Sequence, residues 1–193
     1  APLMNYAVMP EATASASGES SSGSITVADR ARDGNTDGNW RHGSVARMGL
    51  EVNGWWELDL GQVKEISHLH IWNRTDCCGD QLAPYYVFVS DQPFQSKDLS
   101  ATRDQSGVSE YYFTSSPSPT QRVEVHDAGR YVRIQLAGAN YLNLAEVEVF
   151  GETVGPANGL TFMAYEGAWE AMPDFDAIHT TRTGTTKGFD LSV

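Results

Sequence analysis

Short runs of alternating hydrophobic and polar residues, each closed by Gly, Pro or Asp, recur along most of this chain: WWELDLG, PYYVFVSD, RVEVHDAGRYVRIQLAG and LAEVEVFG. A period of two places successive side chains on opposite faces of a strand. Over residues 131–136, Val132, Ile134 and Leu136 share one face, and Tyr131, Arg133 and Gln135 the other. This predicts one face in the core and one in water. No segment longer than about ten residues carries helical spacing. The pattern therefore predicts an all-β fold, an antiparallel β-sandwich with Gly, Pro and Asp turns. The stretch ATASASGESSSGS offers no face to bury and reads as a surface loop.

Near residue 151 the pattern resets. GETVGPANG has the composition of a linker, and LTFMAYEGAWEAMPDFDAI opens a new aromatic-rich unit. The expected organisation is a domain over 1–151, a linker over 152–158 and the truncated start of a second β domain over 159–193. A chain of 193 residues with 40% hydrophobic content matches one ordinary core and a fragment of another. It lacks an apolar run able to span a bilayer, so membrane insertion is not expected. A formal charge of -12 repels phosphate backbones and anionic lipid, which argues against nucleic acid as a partner. The chain starts at Ala1 without Met, as a processed or trimmed product would, which leaves secretion open.

Both cysteines lie side by side in NRTDCCGDQL. Two adjacent thiols cannot close a zinc tetrahedron, and no third Cys exists for a long-range bridge. That leaves two free thiols or a bond between neighbours. Adjacent Cα atoms lie about 3.8 Å apart, short for a disulfide, so a Cys77–Cys78 bridge would strain its own peptide unit. Strain of this kind is normally kept for a use. The acidic loop DGNTDGN, with Ser44 downstream, offers hard oxygen ligands on Gly turns and suits Ca2+, or is simply an Asx-rich turn. It is not an EF-hand. His68, His70 and Trp72 share a strand face, but no third metal ligand accompanies them. Trp55–Trp56 open a strand, so at least one is structural. Tyr85–Tyr86 and Tyr111–Tyr112 read as strand residues divided between core and surface. No paired carboxylates, nucleophile elbow, phosphate loop or zinc-hydrolase helix is present, so the chain does not read as an enzyme.

Seven blocks, RDGNTDGNW, Gly43–Ser44, WWELDLG, NRTDCCGDQL, YYVFVSDQPF, GRYVRIQL and LNLAEVEVFG, together resemble the F-type lectins, the fucose-binding branch of the discoidin-like β-sandwiches. The resemblance covers residues 6–151 and implies an eight-stranded jelly roll, a bound Ca2+ and a shallow sugar site made by loops at one end. It implies that Cys77 and Cys78 form a vicinal disulfide whose sulfur face meets the apolar patch of a sugar. It also implies Ca2+ ligands at Arg30, Asp33, Asn35 and Ser44, completed by Ala145 and Glu146 on the last strand.

The sugar motif of these lectins is a His, twenty-six residues, Arg-x-Asp, four residues, then Arg or Lys. Arg74-Thr75-Asp76 fills the middle here, with Asp76 buttressing Arg74, whereas Arg47 stands at the His position and Gln81 at the last basic one. Gln81 offers a donor and an acceptor, and Arg47 a fork of donors. The pair Arg47 and Arg74 suits a sulfate or carboxylate, so the expected partner is a fucosylated or a substituted, anionic glycan. His42 lies too early for the motif and reads as a turn residue. Asn73-Arg74-Thr75 is also a glycosylation sequon, whose glycan would obstruct this site. The tail, GLTFMAYEGAWEAMPDFDAI followed by TGTTKGFDLS, resembles the start of a protective-antigen-like β-sandwich. That implies a secreted or cell-surface multidomain protein targeted by this unit. The competing class is a calcium-rigidified spacer or protein-docking domain whose sugar site has lapsed.

Overall fold

The computed structural model describes residues 2–18 and 28–152, together with the backbone of 160–164 and 182–186. The chain divides into two compact units, Ala1–Thr153 and Val154–Val193. Among the described residues the first unit has nine strands: β1 (Leu3–Asn5), β2 (Thr13–Ala16), β3 (Ala46–Val52), β4 (Trp55–Trp72), β5 (Tyr85–Ser90), β6 (Val108–Phe113), β7 (Thr120–Leu136), β8 (Ala139–Leu144) and β9 (Glu146–Glu152). One antiparallel sheet runs in the order β1, β9, β4, β7, β5, β6, with β2 added to β4, while β3 pairs with β8. Ala46 and Met48 of β3 and Leu142 and Leu144 of β8 pack into the same core as the large sheet. First and last strands lie side by side, Leu3 opposite Glu152 and Asn5 opposite Phe150. Nine strands are described where the resemblance implied eight; two of them are short N-terminal segments, β1 on β9 and β2 on β4.

The two long strands each change phase midway. In β4 the core residues are Trp56, Leu58, Leu60 and Ile66, then Leu69 and Ile71, so the inward set passes from even to odd numbers, while His68 is buried outside that cluster. The switch falls where the register with β7 slips between Ile66 and His68. An earlier slip, between Asp59 and Lys64, contains Gly61 at φ +79°, a conformation L side chains avoid. In β7 the inward set passes from Val123 and Val125 to Val132, Ile134 and Leu136.

The structure corrects three expectations. Val132, Ile134 and Leu136 face the core, but the opposite face of β7 is not wet: Arg133 and Gln135 are fully buried and Tyr131 nearly so. The segment after β5, including the short helix Leu99–Asp104, lies over this face, and Phe94, Phe88, Tyr86 and Tyr131 form a second apolar cluster beneath it. For the same reason Tyr85 and Tyr86 are both buried, each facing a different cluster. Finally, the Ser-rich stretch is not all loop. Thr13–Ala16 forms β2, because Ala12, Ala14 and Ala16 alternate with Thr13 and Ser15 and give a small inward face. Residues 19–24 of that stretch lie outside the described residues.

Several conspicuous polar and aromatic residues are spent on this scaffold. Trp56 is buried and its Nε1–H donates to the Ala28 carbonyl at 2.9 Å. Trp55 lies under Lys97 Nζ, 4.0 Å from the ring centroid. His68 is buried and stacks on Phe150 with centroids 5.0 Å apart. Trp72 donates to Glu148 at 2.8 Å. In the second unit, Leu160–Ala164 and Arg182–Thr186 pair as antiparallel strands. The linker over 153–158, and most of the segment resembling a protective-antigen-like domain, lie outside the described residues. No helix among the described residues is long and apolar enough to cross a membrane.

Arg133 is the most demanding group in the covered face. Its Nη2 lies 2.7 Å from Glu57 Oε2, Nη1 donates to the Ser96 carbonyl and to Thr102 Oγ1, each at 2.8 Å, and Phe94 lies 4.3 Å beneath the guanidinium. A buried cation deprived of its counter-charge costs about 3–5 kcal/mol. Glu57→Ala should therefore lower the unfolding free energy by about 3 kcal/mol in urea titrations. Glu110→Ala, which breaks the exposed Arg103–Glu110 pair, should leave the midpoint almost unmoved.

Candidate functional site

The chain leaves β4 at Trp72, and the next residue organises everything that follows. Asn73 is buried, and its Nδ2 donates to the Gly79 carbonyl at 2.8 Å and to the Pro117 carbonyl at 3.0 Å. Its Oδ1 accepts from Arg74 N at 2.8 Å, and its own backbone N–H donates to Pro119 O at 2.9 Å. Because both Nδ2 hydrogens are committed, a glycan at this sequon would cost one of the two bonds that tie Asn73 to Gly79 and Pro117.

From this anchor Arg74 reaches Asp76 through two parallel bonds, Nε to Oδ1 at 2.8 Å and Nη2 to Oδ2 at 3.0 Å. The fork fixes the guanidinium plane, the geometry that distinguishes Arg from Lys at such sites. Arg74 beside it holds the Asp76 carboxyl well below the usual carboxylate range, and the backbone N–H of Trp40 adds to this from 3.2 Å. The Trp40 ring lies 5.5 Å from the guanidinium and is 44% exposed, so it flanks the arginine without being consumed by the core. Trp40 was missed in the sequence; its only signal was a large aromatic following an Asx-Gly loop.

Cys77 and Cys78 are bonded to each other, and both are exposed. Cys78 adopts φ +60°, a left-handed backbone that non-glycine residues seldom take. Gln81 closes the short 3-10 turn Gly79–Gln81, and its Oε1 accepts from Asn143 Nδ2 at 2.8 Å. Asn143 is fully buried on β8 and stands opposite Arg47 of β3. Arg47 lies over the ring of Tyr141, 4.7 Å from its centroid. Arg74, Asp76, Cys77 and Cys78 thus lie on one loop with Trp40 of the neighbouring acidic loop against it, and Gln81 links through Asn143 to the strand pair bearing Arg47. Asn143 and Tyr141 gave no sequence signal beyond a strand pattern.

The acidic loop is built as a relay of Asx turns. The side chains of Asp33, Asn35, Asp37 and Asn39 each accept from the backbone N–H two residues on, at 2.8, 3.1, 2.9 and 3.1 Å. The Ser44 hydroxyl donates to the carbonyls of Asp37 and Asn39. His42 meets Asp37 at 2.6 Å, in keeping with a turn role. The loop is pressed against the sugar-motif loop at Gly38: a Cβ there would come within 2.6 Å of Asn73 O and 2.7 Å of Thr75.

Glu146 shows whether a cation fits. It is fully buried at the start of β9, its Oε1 accepts from Gly34 N at 3.0 Å, and its Oε2 has no hydrogen-bond partner. Burial, followed by the charges of Asp33 and Glu148, pushes its carboxyl up to about 8. An orphaned, buried carboxylate oxygen facing an oxygen-rich loop is the donor chemistry of Ca2+. No cluster of three or more His, Cys, Asp or Glu side chains suited to a metal exists among the described residues. A cation there would depend on backbone oxygens as well.

Comparison with known proteins bears on the fold and the family. The NedA-like, galactose-binding domain family matches residues 30–134. Fucolectin-5 of Anguilla japonica is 31% identical over 154 residues, 80% of this chain and 78% of the eel protein. A fucose binding module from Streptococcus pneumoniae has a TM-score of 0.64 at 29% identity, over 78% of this chain and 99% of that one. The lectin domain of lectinolysin, solved with Lewis B antigen, has a TM-score of 0.62 at 29% identity, over 78% and 98%. On the family match and on these identities and coverages, this chain belongs to the NedA-like galactose-binding domain family, on its fucolectin, or F-type lectin, branch.

Proposed function

We propose that this domain is a carbohydrate-binding module that recognises fucose-containing or substituted, anionic glycans, with Ca2+ stabilising its loops. It is a binding domain and not an enzyme. The observation that carries the reading is the Arg74–Asp76 fork standing beside an exposed Cys77–Cys78 bridge. Sugars present hydroxyls on one side and C–H patches on another, so a site needs fixed donors next to an apolar plate. Arg74, already oriented by Asp76, gives donors with little further loss of side-chain entropy on binding. The bridged sulfurs supply the plate.

Gln81 and Arg47 set the preference. The Gln81 oxygen is occupied by Asn143, which leaves its NH2 to meet a hydroxyl without a formal charge. Arg47 makes no ion pair among the described residues and rests on Tyr141, so its charge is free to select a sulfate or carboxylate. In this reading the module is part of a secreted, multidomain protein, and weak single-site binding gains strength through tethering or repetition.

A glycan array run with and without Ca2+ is the direct test. Arg74→Ala should weaken the best-bound glycan by at least about thirtyfold, as loss of a central contact does, with the melting temperature nearly unchanged. Arg47→His with Gln81→Arg should strengthen binding of plain fucose by about tenfold, the worth of one charge-assisted hydrogen bond. If Arg74→Ala binds as well as the parent does, the pocket lies elsewhere.

The Ca2+ assignment uses backbone oxygens at Arg30 and Asn35, Asp33, Ser44, Ala145 and Glu146. Binding to the folded state alone should stabilise it by about 2.7 kcal/mol at a hundredfold excess over Kd. Chelation should therefore lower the melting temperature by several degrees, and Glu146→Gln should remove the response. A melting temperature indifferent to Ca2+ in the parent would refute this ligand set.

A further inference from the structure

Asn143 meets Gln81 amide to amide in the fully buried layer beneath Arg47. Its Nδ2 donates to Gln81 Oε1 at 2.8 Å, whereas its Oδ1 has no hydrogen-bond partner. Two facing amides can bond in two ways, since turning both over would let Asn143 Oδ1 accept from Gln81 Nε2. The turned pair would put the Asn143 NH2 where its oxygen now finds nothing, leaving two buried N–H groups unpaired in place of one oxygen. Unpaired buried N–H groups are the rarer kind, because a carbonyl tolerates an unused lone pair better. Turning Gln81 alone would set NH2 against NH2. Burial of Asn143 therefore holds Gln81 with Oε1 inward and with Nε2 turned away from Asn143, where it makes no bond among the described residues.

The other polar side chains assigned to the site share this polarity. Arg47 and Arg74 carry donors only. The Asp76 carboxylate, the one acceptor among them, is spent on Arg74 and on the Trp40 backbone N–H. A surface that only donates binds sugar oxygens through their lone pairs and has no use for their protons. We propose that Asn143 is a positioning residue that locks Gln81 as a donor. The site then takes a sugar oxygen that carries a substituent instead of a proton, as in an O-methylated deoxyhexose, as readily as a free hydroxyl. This inference rests on the reading of Arg74 and Gln81 as sugar contacts, and it names the polarity of the ligand that they accept.

Titration calorimetry with methyl α-L-fucoside and its mono-O-methyl ethers tests the lock. At least one ether should bind the parent within about twofold of the fucoside. Asn143→Asp then makes the lock reversible. While protonated, the introduced carboxyl donates to Gln81 Oε1 as Asn143 does; once ionised it only accepts, so Gln81 turns its NH2 inward and presents Oε1 to the ligand. A free hydroxyl can donate to that oxygen and an ether cannot. As pH rises the variant should therefore lose the ether by about tenfold relative to the fucoside, the worth of one hydrogen bond. The same ratio in the parent should stay flat. Gln81→Glu keeps one oxygen for Asn143 and sets an acceptor in place of the NH2, so it should discriminate against the ether by about tenfold at neutral pH. Rejection of every ether by the parent, a pH-independent ratio in Asn143→Asp, or parental ether binding by Gln81→Glu would each refute the lock alone, provided that Arg74→Ala abolishes fucoside binding. If the parent binds none of these sugars, or Arg74→Ala binds them unchanged, the proposed function fails and the lock with it.

Discussion

The antiparallel ladder between β4 and β7 is the constraint from which the other features follow. Backbone groups pair from Trp55 opposite Gln135 to Trp72 opposite Thr120, and every buried peptide along this length needs a partner. β4 also carries β2 and β9, and β7 carries β5, so the ladder positions the rest of the large sheet. Its far end places Trp72 and Thr120 side by side. The two loops that leave there, 73–84 and 114–119, therefore start as neighbours, and Asn73 needs only its own side chain to join them.

The site is accordingly a matter of loops held by backbone groups. Asn73 binds carbonyls, the Asx relay binds N–H groups, and Gly38 permits a contact with Asn73 and Thr75 that a Cβ would block. Such bonds are insensitive to the identity of exposed side chains, which leaves Arg47 and Ser118 free to vary in chemistry without dismantling the loops.

Period-two patterning was legible in the sequence because strand geometry imposes it locally: Trp56, Leu58, Leu60, Val132, Ile134 and Leu136 are buried as their alternation implied. The motif residues Arg74, Asp76, Cys77 and Cys78 were legible for a similar reason, being close in sequence and joined by short-range bonds. The small-residue alternation of Thr13–Ala16 was obscured, since alanine carries too little apolar surface to mark a face. What the sequence by itself determined was the class of fold, the family resemblance and the local chemistry of the Arg-x-Asp and Cys-Cys loop. Only the tertiary structure decided that Arg133 and Gln135 lie under the segment after β5, that Trp40 flanks Arg74, and that Asn143 joins Gln81 to the Arg47 strand. These contacts link residues 31 or more positions apart, and separations of that kind are set by which strands pair rather than by any local pattern.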